Sequence, residues 1–320
     1  MMPDNIQKIN KDKNKQIQYV IAIPSYKRAI VIYKKTLATL ARHLGHHPHV
    51  EIYVFLANQK ELSEYKDARP TNFALPESGV KFVIGEKGLK NQRNFIMNYF
   101  PTGTNIVQMD DDIDDVLELI LPQKREGKRP NRGNRLQPIA NLYQFILEAF
   151  QKCKSTGAYI WGIYPVPNAY FMTPTQTTDL RFIVGPMFGI INRHEAALKL
   201  TTNEKENVER TLQYFTLDGR VVRYNNITVQ TRYFKTMGGM QASLRTSARR
   251  NNAMRAAEYL HHLYPELTRV HLAKKSGWPE IKLIAPRPAA NPTKTKTIKN
   301  IRLPQTLKSH LGTRKKTRSN

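Results

Sequence analysis

Between residues 18 and 116, short apolar runs alternate with stretches whose apolar positions recur at helical spacing. Gln18 to Ile23, QYVIAI, is a β-branched run closed by Pro24, which predicts a buried strand followed by a loop. The spacing from Ala29 to Leu44 predicts one helix, stopped by Gly45. Val50 to Leu56 and Lys81 to Ile84 read as the second and third strands, with a short helix starting at Glu61 between them. A helix containing FIMNYF then precedes a fourth strand, Ile106 to Met109. This alternation predicts an α/β fold with a mostly parallel, wound sheet whose ligands sit along the carboxyl ends of the strands. Three loops leave such ends, at Pro24, at Gly88 and at Asp110.

The second half is less regular. Residues 124–135, KREGKRPNRGNR, have no apolar pattern and read as a basic loop. Pro138 to Lys152 predicts an amphipathic helix with Leu142, Ile146 and Phe150 on its apolar face. Tyr159 to Tyr164 and Leu180 to Val184 are strand-like, and His194 to Leu200 and Asn207 to Phe215 read as helices. Arg220 to Gln230 reads as one late strand and Ala248 to Tyr264 as a helix. Residues 1–17 and 286–320 lack periodicity and are expected to be disordered, which bounds a single domain at 18–285 with a division near residue 116.

Composition narrows the class. No run approaches the ~18 apolar residues of a membrane span, and the polar, lysine-rich N-terminus lacks a signal core. The single cysteine, Cys153, excludes an internal disulfide, so an intracellular protein in the cytoplasm or nucleus, not a secreted one, is expected. The net charge of +26 changes the picture most, because such a field attracts polyanions, nucleic acid first. Residues 286–320 hold ten Lys or Arg and no acid, which leaves +16 on the rest of the chain.

The candidate chemistry centres on TNIVQMDDDIDDV, residues 104–116, where five carboxylates fall within six positions. They repel one another unless a counter-charge is present. Either a divalent cation, Mg or Mn, sits there with substrate phosphates, or Asp114 and Asp115 simply open an acidic helix. The loop Pro24-Ser25-Tyr26-Lys27-Arg28 brings a ring, a hydroxyl and two cations to the same edge. Arg93 has two readings, a contact to a pyrophosphate or an ion pair with the aspartates. The histidines at 43, 46, 47 and 49 have no carboxylate near them in sequence and read as a surface turn. Arg232, Lys235 and Gly238-Gly239 suggest a cationic lid able to close over a diphosphate.

IPSYKR, KGLKNQRN and VQMDDDI, in this order, resemble the GT-A glycosyltransferases, which move a sugar from a nucleotide-sugar donor. With GPMFGI and RYNNITVQTRYFKTMGGMQ added, residues 18–285 most resemble the TET/JBP-associated glycosyltransferases, a group related to the base J glucosyltransferase and encoded by phages, large DNA viruses and some eukaryotes. The resemblance implies a GT-A fold and transfer, commonly of glucose from UDP-glucose, to a hydroxymethylated pyrimidine in DNA. It implies metal binding by Asp112 with Asp110, which can also face the donor ribose, and leaves Asp111 ambiguous. Gly88 would belong to the donor turn, Tyr26 would stack on the donor base, and Asn58 stands where a base-binding Asp is usual. Met187 and Phe188 would line the acceptor pocket or belong to the core. Glu206, or next Glu209, would be the general base, although the family's Glu-Asp pair is Glu206-Asn207 here. The same machinery acting on a glycan or protein, and a non-catalytic nucleic-acid-binding protein with structural aspartates, are the alternatives.

Overall fold

A computed structural model of the protein describes residues 17–122, 133–231, 246–271 and 278–286. The run that opens the sequence pattern is its centre: all six residues of β1 (Tyr19–Pro24) are buried. Two parallel neighbours flank it, β2 (Val50–Leu56) and β4 (Asn105–Met109), and β3 (Val80–Ile84) lies outside β2. The sheet then continues with strands from the second half of the chain, β9 (Met187–Ile191), β7 (Ile160–Ile163), β10 (Val222–Tyr224) and β8 (Gln176–Thr177). β9 and β8 run against the other six, so the fold is mixed α/β with a mostly parallel eight-stranded sheet. Gly189, in the middle of β9, is needed for this packing: a Cβ there would collide with the buried indole of Trp161.

Several elements differ from the sequence pattern for tertiary reasons. The predicted helix over residues 29–44 is two, α1 (Ala29–Lys34) and α2 (Thr36–Leu44), broken at Lys35 where ψ is −95°. The break seats Thr36 against the aspartate loop, where its hydroxyl donates to Asp110 O at 2.7 Å and accepts from Ile113 N at 3.0 Å. α3 (Gln59–Asp67) and α4 (Leu89–Tyr99) complete the first half, and α4 begins inside KGLKNQRN rather than after it. The segment after the triplet is a strand, not the expected helix. β5 (Ile113–Ile120) pairs antiparallel with β6 (Arg135–Pro138) and with β11 (Ile227–Thr231), more than a hundred residues away. Lys35 pairs with Asp114 and Arg42 with Asp115, which supplies the counter-charge that a helix start would otherwise have provided, and His43 hydrogen-bonds Asp115 as well.

The late strand expected over 220–230 is split between two sheets, β10 in the large one and β11 in the small one, around Asn225-Asn226. Pro138 closes β6, so α5 (Leu142–Thr156) starts later than predicted, capped by Asn141. Leu180 to Val184 is irregular, and only Ala196–Leu198 forms a helical turn in the 194–200 segment. α6 (Glu206–Asp218), α7 (Thr246–Leu263) and a hairpin of β12 (Thr268–His271) with β13 (Glu280–Leu283) cover the second core cluster. Among the described residues no helix is long and apolar enough to cross a membrane.

Candidate active site

The carboxyl ends of β1, β2, β3 and β4 open into one cavity of about 1230 Å³, whose far wall is made by the start of α6, by α7 and by Trp278. The geometry at its floor follows from three consecutive aspartates leaving a buried strand. Asp111 points inward and is 4% exposed. Both of its oxygens are taken: Ser25 Oγ donates to Oδ2 at 2.5 Å and Arg28 Nη1 to Oδ1 at 2.6 Å. The Tyr65 hydroxyl backs this cluster, 2.7 Å from Ser25 Oγ and accepting from Arg28 N at 3.0 Å. Burial raises Asp111 to about 6, against the pull of Arg28 and Ser25.

Asp110 and Asp112 flank that anchor and line the cavity. The Asp110 side chain keeps 32% exposure, and Arg93 Nη2 donates to its Oδ1 at 3.0 Å. Burial raises Asp110, Arg93 lowers it, and neighbouring Asp112 raises it further, which places the two carboxylates within each other's field. Asp112 accepts from Arg28 Nη1 at 3.2 Å and from the Thr231 hydroxyl at 3.1 Å. Arg93, 2% exposed, also donates to Gln108 Oε1 at 2.9 Å and to Gly185 O at 3.3 Å. Of its two sequence readings the ion pair with an aspartate is the one observed, although the residue also reaches the cavity wall.

Pro24, Ser25, Tyr26, Arg28 and Gly88 all line the cavity. Gly88 has φ +93°, a conformation that glycine adopts without strain, and it starts α4. The Tyr26 ring has Lys27 Nζ 5.4 Å and Lys87 Nζ 5.9 Å from its centroid, so the rim is aromatic and cationic together. Glu61 ties the first two loops to each other by accepting from Lys27 N at 3.0 Å and Ala57 N at 3.1 Å. Asn58 is not among the lining residues; its Oδ1 caps α3 by accepting from Glu61 N at 3.0 Å, and Ala57 faces the cavity instead.

The two candidate bases separate cleanly. Glu206 is the first residue of α6, is 4% exposed and lines the cavity. Burial raises its pKa, while Arg93 and Arg210 pull it back. Glu209 lies one turn on and does not line the cavity. Its carboxylate accepts from the backbone N–H and hydroxyl of both Thr201 and Thr202, a structural task that leaves no place for substrate. Met187 and Phe188 are fully buried and belong to the core. Arg232, Lys235 and the Gly238-Gly239 pair lie outside the described residues, as do residues 1–16, 123–132 and 287–320.

Two features escaped sequence reasoning. Thr231 reaches Asp112 only because β11 pairs with β5. Arg210, 3% exposed, lays its guanidinium over the Phe188 ring at 3.6 Å and donates to Asn207 Oδ1 at 2.8 Å. Burial and nearby Arg93 lower it to about 9, so it keeps its charge at neutral pH. His43 Nε2 donates to Asp115 Oδ1 at 2.7 Å and His47 stacks on Tyr143 at 3.9 Å, so a carboxylate distant in sequence does meet the histidine turn.

Among the described residues no three His, Cys, Asp or Glu side chains converge as a metal cage. The donor set instead suits a hard cation held by two carboxylates: Asp111 is the most buried of the triplet and meets two short donors, whereas Asp110 and Asp112 are more exposed and Asp110 is paired through one oxygen. Mg and Mn commonly complete such a site with substrate phosphates.

The sequence matches no protein-family model, and a search of curated proteins returns no relative. Among solved structures, S. aureus TarS 1-349 aligns at 12% identity and a TM-score of 0.41 over 67% of this chain and 59% of its own. TarS 1-349 in complex with UDP-GlcNAc aligns at 11% identity and TM-score 0.45, over 77% of this chain and 67% of its own. The mannosyltransferase PcManGT from Pyrobaculum calidifontis, in complex with GDP-Man and Mn2+, aligns at 13% identity and TM-score 0.43, over 78% and 64%. The chain thus spans about three-fifths of the length of the first and last of these.

Proposed function

We propose that this protein is a metal-dependent glycosyltransferase of the GT-A type that moves a sugar, glucose from UDP-glucose in the first instance, onto the hydroxymethyl oxygen of a modified pyrimidine in DNA. The observation that carries the reading is the convergence of Asp110, Asp112 and Glu206 on one large cavity at the carboxyl edge of the sheet. Asp110 and Asp112 would hold Mg or Mn, which when bound neutralises charge developing on a leaving diphosphate. Tyr26 offers a face for the donor base, and Lys27 and Lys87 beside it offer counter-charge for phosphates.

Glu206 is the base in this scheme. The acceptor oxygen attacks the anomeric carbon, its proton passes to the Glu206 carboxylate, and the bond to the diphosphate breaks with its electron pair leaving on the diphosphate oxygen. A buried carboxylate with a raised pKa is better matched to that proton transfer than an exposed one. Arg28 does not need to touch substrate, because its guanidinium holds Asp111 and Asp112 in place. The DNA acceptor is supported by the net charge of +26 and by the cationic rim, since phosphate contacts dominate affinity for DNA.

The test is a mass-spectrometric screen of duplexes containing 5-hydroxymethylcytosine or 5-hydroxymethyluracil against a panel of nucleotide sugars with Mn or Mg. A hexose mass gain on one base is expected. Sugar transfer to glycan or peptide acceptors with none to DNA would retain the transferase and remove the DNA assignment. Donor hydrolysis and transfer both absent across the panel would remove the transferase. Binding to DNA should weaken steeply as salt rises, through counterion release.

A further inference from the structure

A second cavity of about 310 Å³ lies behind the first, between α4, β9, the 193–200 segment and α6. Arg93 belongs to the walls of both. Around the second cavity, buried donors collect without acceptors. Arg93 Nε, Arg193 Nε, Arg210 Nε and Nη1, and the Tyr214 hydroxyl all lack a hydrogen-bond partner among the described residues. Arg210 and Tyr214 are 3% and 1% exposed. Glu195 is the only acid among the described lining residues, and its carboxylate lies 3.8 Å from Arg193 Nε, while Arg193 Nη2 is already paired with Asp218 at 2.9 Å. Lys199 adds a further cation at the exposed side.

Buried polar groups are ordinarily paired, and Arg210, although it meets Asn207 and the Phe188 ring, keeps two buried N–H groups, Nε and Nη1, without an acceptor among the described residues. A neutral ligand would supply acceptors but not charge. An oxyanion supplies both, and guanidinium forks match its geometry. We propose that this second cavity is an oxyanion site that takes a tetrahedral, phosphate-class anion against Arg210 and Tyr214, either free or as the phosphate of a sugar phosphate. The site is independent of the transferase reading above. It is nevertheless connected to the main cavity, because Arg210 Nη2 holds Asn207, the neighbour of Glu206, and Arg93 holds Asp110. Occupancy of the second cavity is therefore expected to stiffen the start of α6.

The experiment uses the full chain, with calorimetric titration and thermal unfolding in inorganic phosphate or glucose 1-phosphate against chloride at equal ionic strength. Inorganic phosphate should raise the unfolding temperature, and its affinity should fall about tenfold or more in Arg210→Met and about threefold to tenfold in Tyr214→Phe, as expected for a lost charged and a lost neutral hydrogen bond. Equal binding of the two probes identifies the free anion, and tighter binding of glucose 1-phosphate identifies a sugar phosphate. In crystals soaked with selenate, an anomalous peak should lie against Arg210 and Tyr214. If Arg210→Met does not fold, Tyr214→Phe and the exposed Lys199→Met carry the titration. Phosphate affinity unchanged in both of these, or selenate found only in the main cavity or nowhere, overturns the proposal.

Discussion

The hydroxyl of Thr231 donates to Asp112 Oδ1 at 3.1 Å, joining the last residue of β11 to the aspartate triplet across 119 residues of chain. Asp112 is oriented from two sides, by this hydroxyl and by Arg28. Thr231→Val keeps the shape and removes the donor. The loss of one such bond is worth about 1 kcal/mol, so Mn affinity measured by titration should weaken about fivefold while the unfolding temperature hardly moves.

Asp111 and Asp112 are adjacent in sequence and opposite in role. Asp112→Asn should abolish metal-dependent turnover with little loss of stability. Asp111→Ala leaves the Arg28 guanidinium, 12% exposed, without its shortest ion pair. Arg28 keeps Asp112 at 3.2 Å, so the cost stays below the ~3–5 kcal/mol of a fully orphaned buried charge, and denaturant unfolding should still shift by more than in Asp112→Asn. Equal stability of the two variants would refute the assignment of Asp111 as the anchor.

The same contrast separates the two glutamates. Glu206→Gln should lower kcat by about 100-fold or more, the range of a positioned base, with normal unfolding. Glu209→Ala removes the acceptor for four donors of Thr201 and Thr202. It should cost about 1–3 kcal/mol, chiefly through the two Thr202 donors left buried, visible as a lower urea midpoint.

Cys153 provides a pH test far from the cavity. The thiol is fully buried on α5, and burial raises it to about 12 from an ordinary value of 9.0. Between these values the unfolded chain has lost the proton and the folded chain retains it, so stability must fall as pH rises through the window. The slope is about 1.4 kcal/mol per pH unit at most for one group. Urea unfolding of wild type and Cys153→Ala between pH 8 and 11 should show the wild type losing its advantage as pH rises. Native Cys153 should also resist alkylation at pH 8 and react once the chain is unfolded.

The local pattern of the chain was enough to identify the four parallel strands of the first half, because each is a short apolar run closed by Pro24, Asn58, Gly85 or Asp110, and such runs have few other ways to be buried. It also marked Tyr26, Arg28, Gly88, Asp110 and Asp112, all of which line the cavity, since loops at strand ends in a parallel sheet must share one edge, while Glu206, which lines it too, was pointed to by the family resemblance. What the pattern missed depended on partners remote in the chain. Asp114 and Asp115 look like a helix start until β11 arrives to pair with β5, Lys35 and Arg42 arrive as counter-charges, and His43 arrives as a hydrogen-bond partner.

Glu206 and Glu209 carry the same chemistry three residues apart, and sequence ranked them without separating them. The turn of α6 decides: one carboxylate faces the cavity, and the other is enclosed by Thr201 and Thr202. The physical reason is general. Hydrophobic period is a property of neighbours along the chain and can be read there, whereas the task of a charged side chain is set by which opposite charge or donor lies within about 3 Å in space.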